Sequence, residues 1–326
     1  MAFSSAVIGL GNVGMGYDYD LVDRTRVLTH ASAYHYHPKF DLVAGVDPDP
    51  SRRARFEEKF SAKAFRTVTE LYENVSPEVI SVAVPTKRHY EVFSEVISHD
   101  PKGLVMEKPM AETLSECRKI VATSKDANCR LVVNFMRRYE PSVLKLLAAF
   151  RRGEFGKIVK GIVWYSGEII ENGAHALDLL IMFLGPVSEV QRVSLKASRK
   201  GSALSPDLVV QFEETCVYFV ATGVSEPAMM EIELIGMKGS VRYLDSGERI
   251  AIRKIKPDPL FPGCYTLQRK GATHDTDLGR YQWHVLEFLG AQLESGHDVN
   301  MREDEILETA VALDAIVQLF EVPEVD

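Results

Sequence analysis

The chain of 326 residues is long enough for about two domains, at roughly 150 residues per domain. Its apolar fraction of 46% and charged fraction of 26% are those of a folded globular protein and exclude a wholly disordered or collagen-like chain. The net charge of −8, with Lys and Arg scattered among acids, lacks the basic face that binds a phosphate backbone, so we expect no nucleic-acid partner.

The cysteines and the apolar stretches bear on the cellular compartment of the protein and on whether it enters a membrane. The 4 cysteines have neither Cys-x-x-Cys spacing nor the density of a disulfide scaffold, so we expect a reducing compartment, the cytoplasm, and no metal site. The N-terminus lacks the pattern of a secretory signal, and the longest apolar stretch, 177–184, is far short of the ~20 residues of a membrane helix. We therefore expect no membrane partner.

Short apolar runs alternate with helix-like segments in the first part of the chain. The predicted strands are 6–10, 40–46, 79–84, 104–106 and 130–134, and the helix-like segments include 51–60, 89–98 and 113–124. This alternation is typical of right-handed βαβ units and a parallel sheet covered on both faces. Residues 1–130 are therefore predicted to form a doubly wound α/β domain.

The pattern changes after Pro141. A helix at 142–151, a strand at 158–166 and an apolar helix at 175–184 precede a series of strand-like segments at 187–197, 207–212, 216–222, 229–236, 239–244 and 249–254. Consecutive strands without helices between them indicate antiparallel hairpins, so residues 131–326 are predicted to be an α+β domain with a mixed sheet. The candidates for disorder are the two tips of the chain and residues 256–276, and the amphipathic helices 278–295 and 303–320 end the chain.

A glycine-rich turn follows the first predicted strand and is expected to open a helix. It reads Gly9-Leu10-Gly11-Asn12-Val13-Gly14. Glycines at this spacing allow a tight turn, close approach of backbone N–H groups to a pyrophosphate, and close packing of helix on strand. The turn predicts a dinucleotide site, and the alternative is a flexible turn without a ligand.

Asp47, at the end of the second predicted strand, is the acid expected to hold the ribose hydroxyls. It lies 33 residues after Gly14, farther than the usual ~20, which indicates an insertion within 17–29. A carboxylate would repel the 2′-phosphate of NADP(H), so Asp47 favours NAD(H). Arg52 and Arg53 keep NADP(H) open, unless they are the solvated face of the next helix.

Two further places carry residues suited to proton transfer. Glu107-Lys108-Pro109 ends a predicted strand, where ligands of open α/β sheets bind, and a partly desolvated lysine there would have a lowered pKa; the alternative is a solvated surface lysine. His175 and Asp178 share one face of an otherwise apolar helix. They are either capping groups that satisfy one another or a reaction site.

Five motifs occur in the order seen in one protein family: 9–14, 84–89, 107–109, 134–141 and 173–178. The chain resembles the Gfo/Idh/MocA family of glucose-fructose oxidoreductase, inositol dehydrogenase and rhizopine-catabolism proteins over nearly its whole length. The resemblance implies an NAD(P)-binding Rossmann domain at 1–130 and a substrate-binding and oligomerisation domain at 131–326. The open, mostly antiparallel sheet of the second domain commonly builds dimers or tetramers, so a homodimer or homotetramer is expected, and the final helix is a candidate to pack back on the first domain.

The resemblance also implies roles for single residues. Lys108 matches the lysine that acts as acid/base or orients the reacting hydroxyl, and His175 matches the histidine that donates or accepts the proton. Residues implied along the cofactor are Pro85, Thr86, His89 and Glu107, in addition to Gly9, Gly11, Asn12, Val13, Gly14, Asp47 and Lys108. Residues implied to contact substrate are Asp178, Glu171, Asn172, Arg138 and His284.

Two of these positions leave the assignment open. Glu171 stands where many sugar and polyol dehydrogenases of the family carry an Asp, so the partner of the histidine is undecided. The aromatic residues around His284, in the stretch 281–284, could equally belong to a core.

The combination predicts an NAD(H)-dependent oxidoreductase that moves a hydride between nicotinamide and a secondary alcohol or ketone of a sugar, sugar derivative or polyol. One alternative is a catalytically silent dinucleotide-binding sensor. Another is a reductase of a non-sugar unsaturated substrate, which would need an apolar pocket. The polar residues implied to contact substrate favour a polyhydroxylated small molecule.

Overall fold

The computed structural model describes residues 2–21, 25–193, 204–295 and 303–321. The chain divides into two compact units, Met1–Tyr139 with Gly279–Ala310, and Glu140–Leu278 with Val311–Asp326. Residues 131–139 and 279–310, which were expected in the second domain, thus lie in the first unit. The predicted strand 187–197 extends in part beyond the described residues.

The described residues form the following strands and helices. The strands are β1 (Phe3–Ile8), β2 (Phe40–Val46), β3 (Lys63–Phe65), β4 (Val79–Val82), β5 (Gly103–Met106), β6 (Arg130–Val133), β7 (Ile158–Tyr165), β8 (Val187–Arg192), β9 (Leu208–Phe212), β10 (Thr215–Ala221), β11 (Met230–Gly236), β12 (Gly239–Leu244), β13 (Arg249–Pro257), β14 (Tyr265–Leu267) and β15 (Ala272–Asp275). The helices are α1 (His30–Tyr36), α2 (Pro50–Phe60), α3 (Val68–Asn74), α4 (His89–Ile97), α5 (Leu114–Asp126), α6 (Pro141–Arg151), α7 (Ala174–Leu184), α8 (Tyr281–Ser295) and α9 (Glu303–Glu321).

The first unit is built on a six-stranded parallel sheet. Its strand order is β3-β2-β1-β4-β5-β6, with every neighbouring pair parallel. All residues of β4 and β5 are buried, as expected where helices cover both faces of a sheet. The predicted doubly wound domain is confirmed. Helix α8 joins this unit because Val285, Leu286 and Leu289 pack into the same apolar core as Tyr34 and Val132.

The glycine-rich turn opens only one helical turn, Asn12–Gly16, and the first longer helix begins at His30. Residues 17–29 connect the two, where the sequence predicted an insertion. Buried Asp18 anchors the end of this connection: its carboxylate accepts hydrogen bonds from the N–H groups of Leu28 (2.7 Å) and Thr29 (3.1 Å) and from the hydroxyls of Thr29 (2.6 Å) and Ser32 (2.8 Å). The start of α1 is therefore fixed by a side chain from the insertion.

The second unit is built on a mixed, mostly antiparallel sheet. Its order is β14-β13-β12-β11-β7-β10-β9-β8, with β15 beside β13, and of these pairs only β7 with β10 is parallel. This confirms the predicted sheet. The expected disorder at 256–276 is wrong for β14 and β15, which pair with β13 through backbone hydrogen bonds. The four side chains of β15 are all exposed and carry no apolar pattern that would have predicted a strand.

Three further features of the described residues concern cysteines, membrane-spanning helices and metal sites. The four cysteines are free thiols, two of them buried. Over the part of the chain that the structure describes, no helix is long and apolar enough to cross a membrane. The same residues contain no group of three or more His, Cys, Asp or Glu side chains arranged to hold a metal ion.

The Asp18 anchor gives a stability prediction. Asp18→Ala leaves two N–H groups and two hydroxyls in the interior without their acceptor, so we expect a loss of about 2–3 kcal/mol in the free energy of unfolding, measured by urea denaturation. Asp20→Ala removes an exposed carboxylate two residues away and should change it by less than ~0.5 kcal/mol. Equal effects of the two substitutions would show that Asp18 does not anchor α1.

Candidate active site

The carboxyl ends of the six parallel strands form one edge of the first sheet. Backbone hydrogen bonds continue past the strands there: Gly9 N–H donates to Val46 (2.8 Å), Glu107 N–H to Val82 (3.0 Å) and Asn134 N–H to Met106 (2.8 Å). The strand order reverses direction at β1, which lies between β2 and β4. Ligands of open α/β sheets bind in the crevice at such a switch point.

Two glycines of the turn are required by close backbone contacts. Gly9 has φ +97°, and a Cβ there would lie 2.5 Å from the Ala83 carbonyl oxygen. A Cβ on Gly14 would lie 1.9 Å from the Gly9 carbonyl oxygen. At Gly11 the nearest atom to such a Cβ is Nη1 of Arg52, at 3.9 Å, so this side of the turn is open to a ligand.

Asn12 and Val13 lie in the first turn that follows, where N–H groups have no acceptor within the helix and can bind a phosphate. The turn thus combines a tight backbone crossing at Gly9 and Gly14 with an open face at Gly11. This arrangement fits a dinucleotide.

Asp47 lies directly against this turn. Its side chain is 4% exposed, and its Oδ2 accepts a hydrogen bond from the N–H of Leu10 at 2.9 Å, while its Oδ1 accepts one from the N–H of Asp49 at 2.9 Å. Nη1 of Arg52 is 3.4 Å from Oδ2, and Arg53 donates to the carbonyl oxygens of Asp47 (2.8 Å) and Pro48 (2.9 Å). The acid and the glycines, 33 residues apart in sequence, form one local structure.

Glu107, at the end of β5, is held by donors from three directions. Its Oε1 lies 2.9 Å from Nε2 of His30 and 2.5 Å from Nδ2 of Asn134, and its Oε2 accepts the N–H of Lys108 at 3.3 Å. Burial alone would raise the pKa of this carboxyl, but the hydrogen bond and charge of His30, the amide of Asn134 and the charge of Lys108 hold the pKa of Glu107 below its usual value. The carboxylate therefore stays ionised.

His89 connects the loops after β4 and β5. Its side chain is buried, with Nδ1 2.8 Å from the carbonyl oxygen of Pro109 and Nε2 2.8 Å from that of Val84. Pro85 is exposed and Thr86 is half-buried in the intervening segment. Lys108, half-buried, follows Glu107 in the loop that His89 contacts.

The remaining candidates fall in separate parts of the chain. Arg138 is buried in the short turn Met136–Tyr139, and His284 is buried in α8, both within the first unit. In the second unit, His175 and Asp178 are buried at the start of α7.

The one-turn helix Ile169–Gly173 precedes α7 and carries two more candidates. Glu171 is exposed there, and Nδ2 of Asn172 donates to the Ser166 carbonyl oxygen at 2.9 Å. The substrate candidates are thus divided between the two units.

Sequence reasoning missed His30 and Asn134, the partners of Glu107. His30 is 77 residues from Glu107 in sequence, so no local spacing signals their contact. The only available signal was a histidine directly after Thr29, which caps the N-terminus of α1 by accepting the N–H of Ser32. Asn134 opens the motif 134–141, but the sequence alone assigns it no role.

Comparison with known proteins identifies the first unit. Residues 3–135 match the model GFO_IDH_MocA, described as an oxidoreductase family with an NAD-binding Rossmann fold. Over these residues the chain is similar to the Gfo/Idh/MocA oxidoreductases. The expected family resemblance, the oxidoreductase class and the nicotinamide dinucleotide cofactor are thereby confirmed.

Relatives of this oxidoreductase extend over most of the chain. Inositol 2-dehydrogenase of Acidothermus cellulolyticus is 26% identical over 265 residues, which cover 74% of this chain and 76% of that protein. A dTDP-3,4-didehydro-2,6-dideoxy-α-D-glucose 3-reductase of Saccharopolyspora spinosa is 22% identical, over 73% of this chain and 74% of that protein. The crystal structure of the WlbA dehydrogenase of Bordetella pertussis with NADH and UDP-GlcNAcA has a TM-score of 0.75 at 18% identity and covers 97% of this chain and 95% of that chain, which shows a shared fold.

The glycine contacts of this oxidoreductase give a prediction that separates folding from ligand binding. Gly14→Ala places a methyl group on a backbone carbonyl, so we expect a marked fall in melting temperature. Gly11→Ala meets no atom within 3.4 Å, so the fold should be retained while NADH affinity, measured by fluorescence titration, falls about tenfold or more. Unchanged NADH affinity in Gly11→Ala would contradict a dinucleotide at this turn.

Proposed function

We propose that the protein is an NAD(H)-dependent oxidoreductase that transfers a hydride between nicotinamide and a secondary alcohol or ketone of a sugar, sugar derivative or polyol. The observation that carries the proposal is the sheet edge of the first unit. There the open face at Gly11, the Asp47 carboxylate and the Glu107-Lys108 pair follow β1, β2 and β5 of one parallel sheet. A dinucleotide bound at the switch point supplies the hydride chemistry. The chain itself must then manage the proton of the reacting hydroxyl.

Lys108 and His175 are the residues we propose for this proton. The ammonium of Lys108 donates to the developing alkoxide during ketone reduction and stabilises its charge; in the reverse direction, the neutral amine accepts the hydroxyl proton. His175 is proposed as a second proton carrier, because an imidazole can both accept and donate a proton. Glu107 supports Lys108 as an anion next to it in the chain.

A polyhydroxylated small molecule is the proposed substrate. The substrate candidates Arg138, Glu171, Asn172, Asp178 and His284 are all polar or charged, and several hydroxyl groups can each be bound by such side chains. Two relatives named for inositol and for a deoxysugar nucleotide support the class. Roles for Pro85 and Thr86 along the cofactor belong to the same proposal.

The proposed preference is for NAD(H). Asp47 follows the second strand, as does the acid that holds the ribose 2′-hydroxyl in dinucleotide-binding folds, and its charge would oppose a 2′-phosphate. Arg53 is committed to two backbone carbonyl oxygens, which leaves Arg52, half exposed beside Asp47, as the cation that NADP(H) could use.

A homodimer or homotetramer is proposed for the assembly, formed through the second sheet. The side chains of Trp164, Tyr218 and Ile235 are each more than 40% exposed on the same face of neighbouring strands. Large exposed apolar patches on a sheet usually mark an interaction surface.

A cytoplasmic location is also proposed, and the four free thiols support it.

The catalytic proposal is tested with substitutions of Lys108. Lys108→Ala should lower kcat by about 10²–10⁴-fold while NADH binding is nearly retained, because the substitution removes a proton donor and leaves the glycine turn intact. Lys108→Arg keeps the charge but not the ability to give up a proton, so it should also be inactive. The assay follows NADH absorbance with polyols, sugars and ketosugars, and exposed Lys119→Ala is the control. An undiminished rate in Lys108→Ala would refute the role.

The cofactor preference is tested at Asp47. Asp47→Ser removes the charge that opposes a 2′-phosphate, so the ratio of NADPH to NADH affinity should rise about tenfold or more, equivalent to ~1.4 kcal/mol. Arg52→Ala should change the ratio in the opposite direction. A wild-type protein that binds NADPH more tightly than NADH would overturn the preference.

A further inference from the structure

A buried cluster of His30, Glu107 and Asn134 lies beside the proposed catalytic lysine. The side chains of His30 and Glu107 are 1% and 14% exposed, and Asn134 is 3% exposed. His30 and Asn134 both donate to the same oxygen, Oε1, at 2.9 and 2.5 Å. Since Oε1 is occupied twice, Oε2 is the oxygen left to accept the N–H of Lys108.

The orientation of the Asn134 amide follows from its partner. An ionised carboxylate only accepts hydrogen bonds, so the NH₂ group, not the carbonyl, must face Glu107. The carbonyl oxygen Oδ1 is buried and has no hydrogen-bond partner in the described part of the chain. Leaving an acceptor unsatisfied costs free energy, so the position of Asn134 serves the carboxylate.

His30 is held rigidly by residues that do not touch Glu107. It is the first residue of α1, directly after the capping residue Thr29, and Asp18 binds both the N–H and the hydroxyl of Thr29. Tyr281 donates from its hydroxyl to the carbonyl oxygen of Leu28 at 2.7 Å. The insertion and the start of α8 therefore fix the point from which His30 reaches Glu107.

We propose that His30 is a positioning residue that acts through Glu107 on Lys108. It holds the carboxylate as a fixed acceptor and thereby holds the loop that carries the lysine. This inference rests on the proposed function, in which Lys108 handles the proton. A neutral Glu107 would be a poorer acceptor for the three donors around it, so the loop would lose this arrangement.

The groups that face Glu107 define how the cluster responds to pH. They are His30 from α1, Lys108 from its own loop, and Tyr281 at the start of α8, whose pKa is raised by burial and by the charges of Glu107 and Asp18. The pKa of Glu107 is lowered on folding, so the stabilisation from its ionised form is present above the pKa of the unfolded chain and is lost as the pH falls through the folded value. Removal of His30 lets burial dominate and raises the pKa of Glu107.

The first experiment measures this titration without substrate or cofactor. The protein is labelled with ¹³C at the glutamate carboxyl carbon, and the Glu107 signal is assigned by its absence in Glu107→Gln. We expect Glu107 to titrate below the usual carboxyl range in the wild type and at least about one pH unit higher in His30→Ala. His30→Gln, whose amide can donate in place of Nε2, should restore most of the difference. An unchanged midpoint in His30→Ala overturns the proposal.

The second experiment connects the cluster to the reaction. In His30→Ala the acidic limb of the kcat profile should move to higher pH by about the same interval as the Glu107 midpoint, and the lost activity should be recovered at alkaline pH. His35→Gln, on the same helix but packed against Phe60 with ring centroids 5.4 Å apart, is the control and should keep the wild-type profile. A kcat profile in His30→Ala that matches wild type, despite a shifted Glu107 titration, overturns the positioning role.

A second variant and the substrate-free titration distinguish a folding failure, a failure of the proposed function and a failure of the positioning role. Should His30→Ala fail to fold, Asn134→Ala removes the other donor to Oε1 and leaves α1 unchanged, and the same shifts are expected. Should Lys108→Ala remain active, the proposed function fails, whereas the ¹³C titration still decides whether His30 controls Glu107.

Discussion

A carboxylate that leaves water must receive hydrogen-bond donors from the protein, and this requirement organises the first unit. The penalty for an unpaired buried charge is several kcal/mol, comparable to a large part of the stability of a domain. Asp18, Asp47 and Glu107 are each largely buried, and each accepts hydrogen bonds from N–H or O–H groups of other residues. Satisfying these three groups fixes the loops at the carboxyl edge of the sheet.

Each of the three carboxylates connects a different pair of segments. Asp47 ties the end of β2 to the glycine-rich turn, Asp18 ties the insertion to the start of α1, and Glu107 ties α1 to the ends of β5 and β6. The parallel sheet brings the strand ends together, but only these contacts determine where the loops beyond them lie. The features proposed to bind cofactor and to move a proton are thus held by polar contacts on an apolar framework.

The features that could be predicted from the sequence are those encoded by local pattern. The alternation of apolar runs and helices predicted the parallel sheet, and consecutive strands predicted the mixed sheet of the second unit. The contact of His30 with Glu107 spans 77 residues and has no local signal. The place of α8 depends on packing of Val285 and Leu289 against Tyr34, which its own amphipathic pattern does not specify. Strand β15, with exposed polar side chains, lacks any apolar period.

The short turn Asn12–Gly16 has an electrostatic consequence. In most doubly wound domains the glycine turn runs directly into a long helix, whose aligned peptide dipoles add up at the phosphate. Here the turn has five residues, and α1 begins only at His30. An anion at Gly11 would thus receive little of a macrodipole and would depend on the few N–H groups that point directly at it. The attraction between these N–H groups and the anion acts over a short range. The geometry of those few peptide units, rather than the field of a helix, therefore sets the affinity for the anion.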